Sequence, residues 1–517
     1  MACQDEKRQG PELIIGLVAS VGTDLQLVTD VLTEALDEFS YRVEVIRLSS
    51  LLHELDWERD LPDEPIDAHI TCHMDAGDEL REEWQTGDAL ALLSLSEIAD
   101  RREALGHPEE PAPRTAYILR SFKHPKEIER MRSIYGSRFL LLAAYSPREA
   151  RAQALAERIA AGHHSMRPTD YLDDAHRLMQ RDEAEDDRPL GQKVRDTFHL
   201  ADFFVDARDR QSLDQAAERV VEIAFGHPFR TPTRDEHAMF LAQAAAMRSA
   251  EMGRQVGAVV ATSEGDVVAV GANEVPRTGG GLYWEGDPDD ARDFHSGEDS
   301  SDAMKMRLVG ELLERLSESG WISPEHERAS SEDLYELIRG TRVAALIEFG
   351  RAVHAEMAAL IDAARRGVSV DGCTLYTSTF PCHGCARHIV AAGIRRVVYI
   401  APYSKSLAET LHSDSIEIDP QHHHDNLVNF EPFVGIAPRS YLNLFTMMGR
   451  KDSESGRAAQ FSKRVAIPRL VELEPDTTVP PYLASEQVAL EVLKKLMEDS
   501  KLRIKGMEED NGETKQA

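Results

Sequence analysis

AVHAEMAAL, Ala352 to Leu360, and FPCHGC, Phe380 to Cys385, decide between them how this chain is read. His354 and Glu356 stand two residues apart, and Cys382 and Cys385 follow in a Pro-Cys-x-x-Cys setting after a short strand-like segment. One imidazole, two thiolates and one carboxylate are the parts of a hydrolytic zinc site. Three ligands leave the fourth tetrahedral position for water, and the carboxylate stays free to move protons. His354, Cys382 and Cys385 are therefore read as ligands of Zn2+, and Glu356 as the catalytic proton carrier. A lone histidine in a helix, or a lone Cys-x-x-Cys, has simpler uses as a core residue, a redox pair or half of a structural site. Their order and spacing together carry the reading. Cys373 reads as a small buried residue, since a fourth protein ligand would leave no place for water. His383 and His388 read as supporting residues, and the run His422, His423, His424 as a solvated loop.

The surroundings of the two stretches predict a layered α/β domain. LIEFGRAVHAEMAALIDAARRG, Leu346 to Gly367, is predicted as the helix that carries His354 and Glu356. CTLYTSTF, Cys373 to Phe380, alternates like a strand, CARHIVAAG continues as a helix, and RRVVYIAPY, Arg395 to Tyr403, is the next strand. Upstream, Asp235 to Met252 is helical by composition. RQVGAVVATSEGDVVAVGANEVP, Arg254 to Pro276, reads as a hairpin with a Ser-Glu-Gly-Asp turn. A glycine-rich acidic tract, Thr278 to Asp302, reads as a long loop, with helical segments around Met306 to Ser317 and Ser331 to Arg339.

The N-terminal half opens with an apolar run, Glu12 to Val21, then an amphipathic helix with Leu25, Val28, Leu32 and Leu36 in register, then a strand, Tyr41 to Ser49. Strand, glycine loop, helix, strand is the opening of an α/β nucleotide-binding domain. The loop GLVASVGTD is read as a degenerate P-loop framed by Gly16 and Gly22. Thr23 stands where the phosphate-binding lysine belongs, and Asp24 where a Ser or Thr would meet magnesium, so phosphoryl transfer is expected to be impaired or absent. A glycine turn that only joins strand to helix is the simpler alternative. Arg120, Lys123, Arg130 and Arg132 follow a later strand; a solvated helix face competes with phosphate binding there.

The chain's 517 residues exceed what one core holds, and its 42% hydrophobic and 29% charged residues are those of a globular protein. Periodicity breaks near Gly226 to Glu236. The domains are therefore expected at 1–228, at 229–505 with an insertion at about 277–340, and a disordered polar tail at 506–517. A net charge of -32 opposes binding to a polynucleotide backbone but leaves room for a small phosphorylated ligand. Five cysteines, no apolar leader and no membrane-length apolar run fit a reducing cytoplasm.

RQVGAVVAT followed by GANEVP, together with the His-x-Glu and Pro-Cys-x-x-Cys stretches, resembles the deoxycytidylate branch of the zinc-dependent deaminases. The resemblance spans roughly Asp235 to Tyr403. It implies a cytidine-deaminase α/β/α fold, with Asn273 at the sugar and the backbone near Val275 and Pro276 beside the base. The altered glycine loop, VRDTFHLADFFVDA, GGGLYWEGD and SKSLAETLHSDSI occur with it. This set resembles the bacterial anti-phage dCTP deaminases, in which an N-terminal P-loop kinase-like α/β domain is fused to the deaminase domain. That implies conversion of dCTP, and also dCMP, to deoxyuridine nucleotides, depleting dCTP during infection. It also implies a homo-oligomer and, in some systems, restraint by a small RNA. Lys405, just past the strand Arg395 to Tyr403, is placed in sequence to reach a substrate phosphate. The alternatives are a housekeeping dCMP deaminase, a polynucleotide-editing deaminase and a non-catalytic nucleotide sensor; the acidic balance opposes the second and an intact Glu356 the third.

Overall fold

The apolar run at the start of the chain becomes β1 (Leu13–Val18), buried at every position because it lies inside a parallel sheet. The computed structural model describes residues 10–502, apart from 59, 186–187, 324–329, 339–340, 342, 344–345, 347, 403–405, 421–423, 425, 448 and 470–479. It divides the chain into two units, one of 1–232 with 434–517 and one of 233–433. In the first, β2 (Arg42–Arg47), β3 (Thr115–Arg120), β4 (Phe139–Tyr145) and β5 (Phe203–Asp206) join β1 in the order β5-β4-β1-β3-β2, all parallel. Crossover helices bury Val28, Leu32 and Leu36 with Leu213, Ala217 and Val221 against Leu13, Ile15 and Leu17.

The second unit has its own six-stranded sheet. It is built from β6 (Gly257–Ala261), β7 (Val267–Ala272), β8 (Thr374–Thr379), β9 (Arg396–Ala401), β10 (Ile416–Ile418) and β11 (Val428–Pro432), in the order β10-β11-β9-β8-β6-β7. β6 runs antiparallel to both β7 and β8, and the rest is parallel. Two glycines seat helices directly on the strand backbones. A Cβ at Gly257 would lie 1.9 Å from the Ala242 carbonyl oxygen, and one at Gly271 would lie 2.1 Å from that of Ala355. Gly257 pairs with Ala272 and Gly271 with Ala258, so strand alternation puts the two helices on opposite faces. The helix Arg234–Ala246 starts in a capping box, Thr233 with Glu236. Asp235 in its first turn accepts two bonds from Arg396 at 2.9 and 2.8 Å and one from the Tyr376 hydroxyl at 2.6 Å, tying it to β8 and β9.

Three expectations change. The C-terminal domain does not run from 229 to 505, because the chain rejoins the first unit after Phe433. There β12 (Gly435–Ile436) pairs antiparallel with β5, and the helix Pro481–Asp499 packs against the helix Ala89–Ala104. That return is fixed by a buried ionic group: Arg102 donates to Glu12 at 2.9 Å and to Glu486 at 2.7 Å, the Tyr482 hydroxyl to Glu12 at 2.7 Å, and the Tyr135 hydroxyl to Glu486 at 2.9 Å. The predicted helix at Leu346 begins instead at Ala355, because Val353 is held extended in a bridge to Glu274. Gly16 is not a loop residue. Five residues rather than four separate it from Gly22, and it lies inside β1 under the rings of Phe122 and Phe139. The tail 506–517 lies outside the described residues.

Replacing Arg102 with methionine would strand two buried carboxylates. The expected cost is about 3–5 kcal/mol in the unfolding of the first unit, read as a lower urea midpoint for that transition.

Candidate active site

Each metal-binding residue expected from the sequence sits at the start of a helix. His354 is the N-cap residue of Ala355–Arg366, and Cys382 that of His383–Ala391. The first helix is placed by its close seat on β7 at Gly271 and by the bridge between Glu274 and Val353. The second follows from the end of β8, so a strand-to-helix junction delivers both cysteines. The His354 Nδ1 lies 3.3 Å from the Cys382 Sγ and 3.4 Å from the Cys385 Sγ. The Cys382 Sγ accepts the Cys385 backbone N–H at 3.4 Å, and the Glu356 Oε2 lies 3.5 Å from the Cys385 Sγ.

The three donor atoms lie within 4.8 Å of one another. Bonds of about 2.0–2.1 Å to nitrogen and 2.3 Å to sulfur put tetrahedral zinc ligands about 3.6 Å apart, close to the separations seen here. Charge fits as well. The contacts with Cys385 and His354 hold the Cys382 thiol down to about 4, while contact with Cys382 raises the His354 ring to about 9. Cys385 goes the other way, pushed up by Cys382 and by burial. An attraction that holds a proton among these atoms also holds a dication. Glu356 is buried, and burial raises its carboxyl above the ordinary range. Cys373 is buried in the apolar core before β8 and is not part of the donor group.

The remaining expected residues fare differently. Asn273 is buried at the end of β7, but its carboxamide serves the chain itself. Its Oδ1 accepts from Val256 N at 2.7 Å and its Nδ2 donates to Arg254 O at 2.7 Å. Lys405 lies outside the described residues, as do His422 and His423. In the first unit, Asp24 caps the helix Leu25–Asp37 by accepting from Leu27 N at 3.0 Å. Thr23 is buried, and Gly22 has φ of 91° with Arg151 packed where a Cβ would go. The loop's Val21 N–H donates to the buried Asp182 carboxylate at 2.7 Å, and Lys123 bonds the other oxygen at 2.6 Å. Glu274 was not among the expected residues. It accepts from Ala250 N and Val275 N, both at 2.9 Å, and faces Arg292 at 3.5 Å, fixing the strand that leads into His354. A carboxylate between Asn273 and Val275 at the end of an apolar hairpin was the available signal.

Residues 232–401 match the family model for the cytidine and deoxycytidylate deaminase zinc-binding region. The C-terminal half of the chain therefore carries a zinc-binding domain of the cytidine and deoxycytidylate deaminase type. The deoxycytidylate deaminase of Enterobacteria phage T2 is 43% identical over 54 residues, 10% of this chain and 29% of that protein. ComE operon protein 2 of Bacillus subtilis (strain 168) is 28% identical over 122 residues, 22% of this chain and 59% of that protein. The chain thus spans less than two thirds of the length of either relative. A solved dCMP deaminase from cyanophage S-TIM5, in complex with dCMP and dUMP, is 19% identical with a TM-score of 0.22, over 40% of this chain and 100% of its own. Among the described residues no helix is long and apolar enough to cross a membrane.

Substituting His354, Cys382 or Cys385 by alanine is expected to abolish stoichiometric zinc in the purified protein, measured by elemental analysis. Cys373→Ala is expected to keep it.

Proposed function

We propose that the second unit hydrolyses the exocyclic amine of deoxycytidine nucleotides, dCTP and dCMP, to give deoxyuridine nucleotides and ammonia. The observation that carries this is the buried Glu356 carboxylate beside a His-Cys-Cys donor group. The match to the deaminase zinc-binding region and the names of the relatives support cytidine nucleotides as the class. The preference for dCTP, its depletion as a defence against phage, a homo-oligomeric cytoplasmic enzyme and restraint by a small RNA rest on the sequence resemblance.

Zinc at the three donors supplies the Lewis acidity that makes a water nucleophilic near neutral pH. The chain's own part is proton movement and shape. The Glu356 carboxyl takes one proton from the attacking water and gives it to N3 as the water oxygen bonds C4. It then takes the remaining proton of that new hydroxyl and gives it to the amine, so that the C–N bond breaks, ammonia leaves and the C4 carbonyl forms. Burial of Glu356 keeps both transfers away from bulk solvent. Asn273 holds Arg254 to Val256 against the end of β7, a loop that on this reading borders the nucleoside. The N-terminal segments of two helices stabilise the thiolates.

Glu356→Gln is expected to keep zinc and lower ammonia release from dCTP or dCMP by at least about 100-fold. Product mass and ammonia are followed with dCTP, dCMP, CTP and ATP in parallel. Undiminished turnover in the variant would rule out this mechanism. Equal protection from phage by wild type and variant would rule out deamination as the effector.

A further inference from the structure

In the glycine loop of the first unit the Val21 N–H is bonded to Asp182, whose charge Lys123 offsets. A different pair of cations is left over. Arg47 and Arg120 are the last residues of β2 and β3 and pair directly in the sheet register, so their side chains leave the same face at the carboxyl ends of parallel strands. Small ligands of open α/β sheets bind at such ends. Both guanidiniums converge on one neutral acceptor, the Gln26 Oε1, at 3.1 Å from Arg47 and 2.6 Å from Arg120. The Gln26 amide is in turn held by Asp30 at 2.7 Å. Arg101, the other cation of the same pocket, is paired with Glu44 and Glu97, whereas Arg47 and Arg120 form no ion pair within 4 Å among the described residues, Asp30 and Asp24 acting on Arg120 only from further off. Burial and Arg47 together lower the pKa of Arg120, the mark of two like charges held close.

The pair lines one wall of a pocket of about 720 Å³, within the range of small-molecule sites. The hydroxyls of Thr29, Thr33 and Ser50 line the remainder with Arg101, four carboxylates including Asp30 and Glu34, and three apolar side chains. A pair of guanidiniums together with hydroxyls and carboxylates suits a ligand with an anionic group and a hydroxylated or amino-bearing body.

We propose that Arg47 and Arg120 form a binding site for a phosphate monoester on a sugar-sized or nucleoside-sized molecule, separate from the glycine loop. Paired guanidiniums bind phosphate through several parallel N–H bonds, which a carboxamide oxygen satisfies only in part. This inference does not depend on the deaminase reading. Calorimetry on the full-length zinc protein tests it with three probes: inorganic phosphate, ribose 5-phosphate and dAMP. The organic monoesters are expected to bind, and whichever binds more tightly identifies the body the pocket accepts. The double variant R47Q/R120Q is expected to weaken that binding at least about tenfold at an unchanged melting temperature. R47K/R120K retains part of it, and D182N, which opens the glycine loop, leaves it unchanged. Failure of both organic probes to bind, equal affinity in R47Q/R120Q, or loss in D182N alone would overturn the proposal.

Discussion

Two helix N-termini meet at His354 and Cys382, and the second unit is built to hold them there. The charge balance explains why. Two thiolates and the Glu356 carboxylate would place three negative charges in a buried volume, which is prohibitive without compensation. A dication contributes two positive charges, and each helix N-terminus about half of one. The sum is close to neutral only if both helices point at the same spot. Gly271 allows this on one side by letting the helix backbone rest on β7, and β8 delivers the other helix. A side chain at Gly271 would lift the helix start and His354 with it, although Gly271 itself touches no donor atom.

The first unit follows a different logic. Its parallel sheet with crossover helices has the open α/β layout expected from the sequence, and an internal carboxylate, Asp182, takes the Val21 N–H of its glycine loop. Asp24 fits the same picture. As a helix cap it stabilises the helix Leu25–Asp37, and its charge would oppose a phosphate at that position. The unit is also closed by sequence from the far end of the chain, through Arg102 bonded to both Glu12 and Glu486.

The donor group was legible because its chemistry is local: two short stretches contain all four residues, and their residue types have few other joint uses. Strands with strong apolar patterns, such as Leu13–Val18 and the hairpin of β6 and β7, were legible for the same reason. What escaped depends on partners far away in sequence. Val353 looks like part of a helix until it is paired with Glu274. Residues after Phe433 look like a continuation of the second unit until Glu486 meets Arg102. In each case a long-range pairing overrides a sound local pattern.

The net charge of -32 and the local arginine pair are compatible once range is considered. Repulsion between this surface and a polynucleotide grows with the number of phosphates and acts over a Debye length of about 8 Å at physiological salt. A mononucleotide carries only a few charges, so that long-range term is small for it. Close to the protein the balance reverses, because Arg47 and Arg120 present several donors within hydrogen-bond distance of one point, and short charge-assisted bonds outweigh a screened field. On the proposed reading, an acidic exterior with a local arginine pair therefore selects against polymers and in favour of small phosphate esters.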